Sequence, residues 1–268
     1  MGESRKKLSV RIKRSRLEGI VMALLLPVAI LIVWFIGTGI PTNGETLLSP
    51  YFFPSFEQIF SAGGNLIQGN HLQLGILYSV ARILISTLIS SAISIPLAIV
   101  MASNERFRSL FDFLVKLRYL PAFALLPLII LVAGVEEADK ISFLVVSITL
   151  FLLPSAILSL DAVPGQLIDA ARTLGASEFQ VIRRVLIPAA LPDIFQTFVI
   201  INGIGWNALM VAEIINARHG LGFILNMARY RGQMDAVIFT LLVIYLIAVI
   251  MDTGIKYAIR KLFRWKYE

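Results

Sequence analysis

QLIDAARTLGASEFQVIRRVLIPAALP, residues 166–192, is the longest piece in the middle of the chain that hydrocarbon would reject. Asp169, Arg172, Glu178, Arg183 and Arg184 fall inside it, between two strongly apolar runs. Leu167, Ala170, Ala171 and Leu174 recur at helical spacing and predict a first short helix over 166–174. Gly175 suits the left-handed conformation that ends a helix. Ser177, with Gln180 three residues on, predicts a capping box that opens a second helix. Phe179, Ile182, Val185 and Leu186 give that helix its apolar face. Pro188 and Pro192 are expected to stop it before the next apolar run. A compact amphipathic pair of this kind, set on a membrane surface, reads as a docking element.

The membrane enters through composition. Of 268 residues, 57% are hydrophobic and 15% charged, against about 25% charged in a soluble domain. Folding alone does not hide that much apolar surface, so lipid is part of the solvent. There is no cysteine, which excludes disulfides, thiolate metal sites and a cysteine nucleophile. The two histidines, His71 and His219, are far apart in sequence and argue against a histidine metal site. No metal ligand set is expected.

Working outward, the apolar runs are 19–36, 74–101, 119–135, 141–160, 194–212 and 236–251. A spanning helix needs about 20 residues, so six spans fit; the sixth is short unless Asp252 lies near the headgroups. The first follows a basic segment, 1–18, with seven Lys or Arg. It is long enough to span and no clear small-residue cleavage site follows it, so an uncleaved first transmembrane helix is expected rather than a signal peptide. Residues 54–66 predict a short surface helix in the connection to the second run. Pro96, Pro121, Pro127 and Pro154 are expected to kink or bound helices.

Lys and Arg set the orientation. With the N-terminus inside, the inner segments carry 19 basic residues and the outer segments 4, with Arg82 left over. Both termini are therefore expected in the cytoplasm, and the 166–192 loop with them. The net charge of +7 is accounted for as a topology signal facing anionic lipid, and no nucleic acid is expected. The outer segment 213–235 contains HGLGF and predicts a re-entrant or surface helix.

Asp169-Ala170-Ala171, three residues, Gly175, nine residues, then Val185-Leu186-Ile187-Pro188 resembles the "EAA" signature of type I ABC importer permeases. Asp stands for the usual Glu at 169, and Val and Ile at 185 and 187. LIDAARTLGAS, RRVLIPAALP, VAEII and GLGF are similar to the nitrate, sulfonate, taurine and bicarbonate branch. The resemblance implies an all-α polytopic fold of six transmembrane helices with a cytoplasmic coupling-helix loop. The layout it implies is a basic cytoplasmic N-terminus (1–18), a first transmembrane helix (19–37) and an external connection (38–72). A type-1 transmembrane domain (73–257) with its coupling loop at 163–190 and a basic cytoplasmic tail (258–268) complete it. It implies docking of ATPase subunits through Asp169, Ala170, Ala171, Gly175, Ala176 and Pro188. The implied partners are cytoplasmic ABC ATPases, an external solute-binding protein and a second permease copy, in a bacterial inner membrane. The implied cargo is a small anion; thiamine-precursor-like heterocycles also occur in the branch.

No GxxxxGK[ST] phosphate loop is present. This chain is therefore expected to bind no cofactor and do no covalent chemistry, with ATP and Mg on the partner ATPase. An ion-driven secondary transporter is the alternative, but it needs intramembrane Asp, Glu or His as relays. An intramembrane enzyme lacks a catalytic set.

The remaining polar residues admit two readings each. Asn202, Trp206 and Asn207 either line a translocation path or tie helices together. Arg82 either attracts an anion or snorkels to the headgroups. Glu213 is placed at the outer rim, orienting HGLGF, and with Arg82 it is also a candidate for the translocation path. Glu136, Glu137 and Asp139 read as an acidic outer turn, either solvated or in contact with a delivering protein.

Overall fold

A computed structural model describes residues 16–39, 41–42, 45–46, 49, 52–69 and 71–267. Most of the basic N-terminal segment lies outside them. The chain divides into two compact units, Met1–Ser61 and Ala62–Glu268. The first holds α1 (Arg16–Gly39), a two-residue hairpin of β1 (Pro41–Thr42) and β2 (Glu45–Thr46), and the start of α2 (Phe56–Gln68). Trp34 anchors the end of α1. Its Nε1 donates to Pro54 O at 3.1 Å and its ring packs on Phe53 and Phe56. From Val21 to Ile36 the large apolar side chains of α1, apart from half-buried Trp34, are exposed, a surface that needs lipid or an apolar partner.

The second unit contains α3 (His71–Ser103), α4 (Glu105–Lys116), α5 (Leu126–Ala133), α6 (Glu137–Asp161) and α7 (Gly165–Thr173). Then come α8 (Glu178–Val181), a π turn (Ile182–Leu186), α9 (Ile187–Asn216), α10 (Leu221–Tyr230), α11 (Met234–Leu262) and α12 (Arg264–Tyr267). Five helical stretches among the described residues are long and apolar enough to span: α1, α3, α6, α8 through α9, and α11. A sixth is reached only by joining residues 105–119 to 122–133 across a bend of 102°.

That bend falls at Pro121, one of the prolines expected to kink or bound a helix, so the apolar run over 119–135 is not one straight span. Leu120 is extended (ψ 132°), as the residue before a proline is pushed to be, and Pro121 leads into a 3-10 turn over Ala122–Leu125. Pro127 is tolerated at the N-terminal start of α5 because the N–H it lacks would have had no partner there. The bend also gives the preceding segment a structure of its own: Asn104 accepts from the N–H groups of Arg106 and Phe107 and caps amphipathic α4.

α3 and α6 run parallel in a fixed register. Arg82 bonds Glu137, Ser86 Oγ donates to Ile141 O, and Ser90 Oγ donates to Val145 O. Every partner is 55 residues on. One face of α3, repeating every four residues through Ser86, Ser90, Ser94 and Ala98, is fully buried. Small side chains let the two backbones approach, and the Ser86 and Ser90 hydroxyls donate to the carbonyls they meet.

The two largest of four buried apolar clusters among the described residues matter for the sites below. One, at the α10 end, gathers Ile83, Phe143, Leu144, Trp206, Leu209 and Leu221. The other, at the α7 end, gathers Met101, Leu153, Ile157, Leu160, Leu186 and Ile194. Each sits beneath one of the two polar sites below.

Candidate functional sites: a docking elbow and a buried carboxylate

The elbow at the α7 end is closed by three separate devices. Gly175 takes φ +81°. Its N–H reaches Arg172 O at 2.9 Å and the Ala176 N–H reaches Ala171 O at 3.1 Å, which is the paired Schellman closure of a helix end. Ser177 N donates to Gln180 Oε1 and Gln180 N to Ser177 Oγ, so the capping box stands as the sequence predicted. The third device was not foreseen: the Arg172 guanidinium spans the bend and bonds both oxygens of Glu178 at 3.0 Å. Arg and Glu six residues apart across a glycine were the available signal.

What this frame presents is apolar. Leu174 is 88% exposed and Phe179 69%. Leu167 is exposed with them, and so are Ala170 and Asp169. The stripe read from helical spacing therefore faces outward, and Ile168 packs inward instead. Ala171 and Ala176 are half-buried. Asp169 stands 4.0 Å from the Arg172 guanidinium.

Pro188 does not stop the second helix, nor does Pro192; both lie within α9. The π turn before Pro188 bonds Ile187 N–H to Ile182 O, one residue wider than an α turn. A proline has no N–H and crowds the carbonyl four residues back. Widening the ladder just ahead of Pro188 accommodates the ring without ending the helix. The elbow is thus continuous with the spanning rod of α9.

The second site is built around Glu213, 1% exposed near the end of α9. Its carboxylate accepts from Arg82 NH1 at 2.6 Å, from Ser79 Oγ at 2.8 and 2.9 Å, and from the Gly222 N–H at 2.7 Å. Ser79 Oγ in turn accepts from the Leu221 N–H, and Arg82 NH1 also donates to His219 O. Each residue from His219 to Gly222 except Gly220 is held by one of these bonds. Gly220 is needed for another reason: at φ +137°, a Cβ there would lie 2.5 Å from Glu213 Oε2. Orienting HGLGF, the role read for Glu213, is the geometry observed.

Arg82 neither snorkels nor stands free. It is 2% exposed, and its remaining N–H groups bond Glu137 at 2.6 and 2.7 Å. Burial without water forces such pairing. The acidic turn is only partly solvated: Glu136 and Glu137 are exposed, but Glu137 is taken by Arg82, and Asp139 is buried against Lys140. The sequence has no local signal for this cluster, because its members lie 55 and 131 residues apart. Gly222→Ala is expected to cost about 1–3 kcal/mol, since its Cβ would sit 2.6 Å from Glu213 Cβ; thermal unfolding in detergent checks it.

The polar residues of α9 separate. Asn202 is buried and its Nδ2 donates to Ala248 O. Trp206 is buried in the core at the α10 end. Asn207 is exposed, with Gly203 one turn before it on the same face.

Residues 94–264 match the family of binding-protein-dependent transport system inner membrane components. The chain belongs to that family. The permease is 32% identical over 228 residues to the taurine transport system permease protein TauC of Escherichia coli, covering 83% of each chain. It is 30% identical to a putative ABC transporter permease protein of Methanocaldococcus jannaschii, over 99% of this chain and 98% of that one. Its fold is like that of a chain from the inward-facing MetNI methionine ABC transporter, with TM-score 0.64 and 21% identity, over 71% of this chain and 95% of the other. It is thus a multi-pass, all-α membrane component of an ABC importer.

Proposed function

We propose that the permease imports a small anion, with sulfonates such as taurine as the favoured class, handed over by an external binding protein. The taurine relative supports the class. Both termini and the elbow lie on the cytoplasmic side, in the inner membrane of a bacterial cell, as the 19 to 4 split of basic residues favours. Two permease copies form the path, and the exposed Asn207 and Gly203 face of α9 is its lining. Asn202 and Trp206 brace that face from behind. ATP and Mg are bound by two cytoplasmic ATPase subunits, and this chain does no chemistry on them.

The observation that carries the reading is the elbow itself: a frame closed by three devices that holds Leu167, Leu174 and Phe179 out of the fold. An ATPase groove covers those side chains, and Asp169 meets a basic residue at its rim. Because the elbow runs on into α9, movement of the ATPases is passed along a rigid rod to the path.

Gly175→Val tests the docking. A Cβ there meets nothing within 4 Å, so the variant acts only through backbone strain, about 1–3 kcal/mol at a positive φ. Gly175→Val is expected to lose most ATPase co-purification and nucleotide-dependent uptake, and Gly175→Asn, which tolerates that φ, to keep them. Unchanged co-purification and uptake in the valine variant would make the docking assignment wrong.

A further inference from the structure

A cavity of about 410 Å³ opens at the α10 end, walled by the end of α2 and by α3, α10 and the start of α11. Its size is within the roughly 300–1,000 Å³ of small-molecule sites. Both histidines of the chain, His71 and His219, line it, brought together across 148 residues of sequence. Arg231 and Gln233 join them, against an apolar wall that includes Leu74 and Ile224.

The polar lining is rich in donors and carries no acid. It contains no carboxylate. The acids nearby are engaged elsewhere: Glu213 and Glu137 hold Arg82, and Asp235 accepts the Ala236 N–H. Among the described residues Arg231 has no ion-pair partner. A guanidinium offers a planar fork of N–H donors, and imidazole and amide groups add more. Oxyanions take such donors in short, charge-assisted bonds. A cation would meet an uncompensated like charge.

We propose that this cavity is a subsite for a small oxyanion with a short apolar body, a sulfonate above all, whose head is held by Arg231, His71 and His219. The Glu213 cluster builds one wall of it, because the same bonds that fix residues 219–222 set the position of His219. The His219 ring is further held by stacking on Tyr78 at 5.1 Å. The inference rests on the small-anion reading and adds where the cargo's charge is met.

The test uses the full chain in neutral phosphatidylcholine nanodiscs, titrated calorimetrically with methanesulfonate and with dimethyl sulfone, which has nearly the same shape and no charge. Wild type is expected to bind methanesulfonate saturably and dimethyl sulfone not at all. Arg231→Gln is expected to weaken methanesulfonate by tenfold or more. Arg229→Gln, whose guanidinium lies over Tyr230 and outside the lining, is expected to leave it unchanged. No saturable binding to wild type, or equal affinity in the two arginine variants, overturns the subsite. Uptake of a small anion by the full importer is measured beside it. Uptake without cavity binding sinks the subsite and leaves the proposed function standing; cavity binding without uptake does the reverse.

Discussion

Glu213→Ala is expected to destabilise the permease by about 3–5 kcal/mol, the cost of removing one partner of a buried pair. The readout is the melting temperature of detergent-extracted protein, together with the monodisperse fraction recovered. The size follows from what is left behind. Arg82 stays buried, with its NH1 keeping only the His219 carbonyl. The Gly222 N–H and the Ser79 hydroxyl lose their acceptor at the same time. Glu137→Ala takes a carboxylate from the same guanidinium but is expected to cost much less, about 1 kcal/mol. Its side chain is 51% exposed, so water enters where the carboxylate was. Equal losses in the two variants would mean that the cluster is no buried tie. Adding Arg82→Met to Glu213→Ala is expected to recover part of the loss, because the buried guanidinium, whose remaining carboxylate is Glu137, is removed with its lost partner.

That cluster marks the limit of what was legible in the chain. Periodicity and composition located the spanning segments, because each span is written in its own residues. The elbow was legible for the same reason: Gly175, Ser177 and Gln180 act on neighbours a few residues away, and all three act as read. The third span was legible only as a run broken by prolines, because an apolar run records only that residues are apolar. It carries no direction, and the 102° bend at Pro121 is invisible to it. Proline was given too much weight at 188, where a widened turn absorbs it, whereas Pro121 bounds a helix as expected. The difference is physical: Pro121 holds Leu120 extended and so parts the preceding helix from the turn and α5 that follow, while α8 and α9 share one apolar face through Leu186 and Ile194. The face kept the rod whole. Arg82 was the harder case. A lone arginine near the end of an apolar helix is the same string whether it snorkels or is paired, and only the fold brings Glu213 and Glu137 to it.

Leu174→Asp is expected to break assembly while leaving the permease itself intact. Leu174 is 88% exposed, so in the isolated chain the substitution is a surface change, within about 0.5 kcal/mol. On the proposed docking, the same side chain enters an apolar groove. Leucine contributes about 2 kcal/mol there when fully buried, which is roughly thirtyfold in affinity, and an unpaired aspartate in the groove adds its own desolvation cost. ATPase co-purification is therefore expected to fall by well over thirtyfold, with uptake lost and the melting temperature of the permease unchanged. Ile168→Asp, six residues back but facing the core at the α7 end, is expected to do the opposite and lower the melting temperature first. The contrast separates a face that the fold keeps for a partner from one that it uses itself. If Leu174→Asp and wild type retain ATPase equally, the exposed apolar elbow has some other occupant, and the coupling of α9 to a motor falls with it.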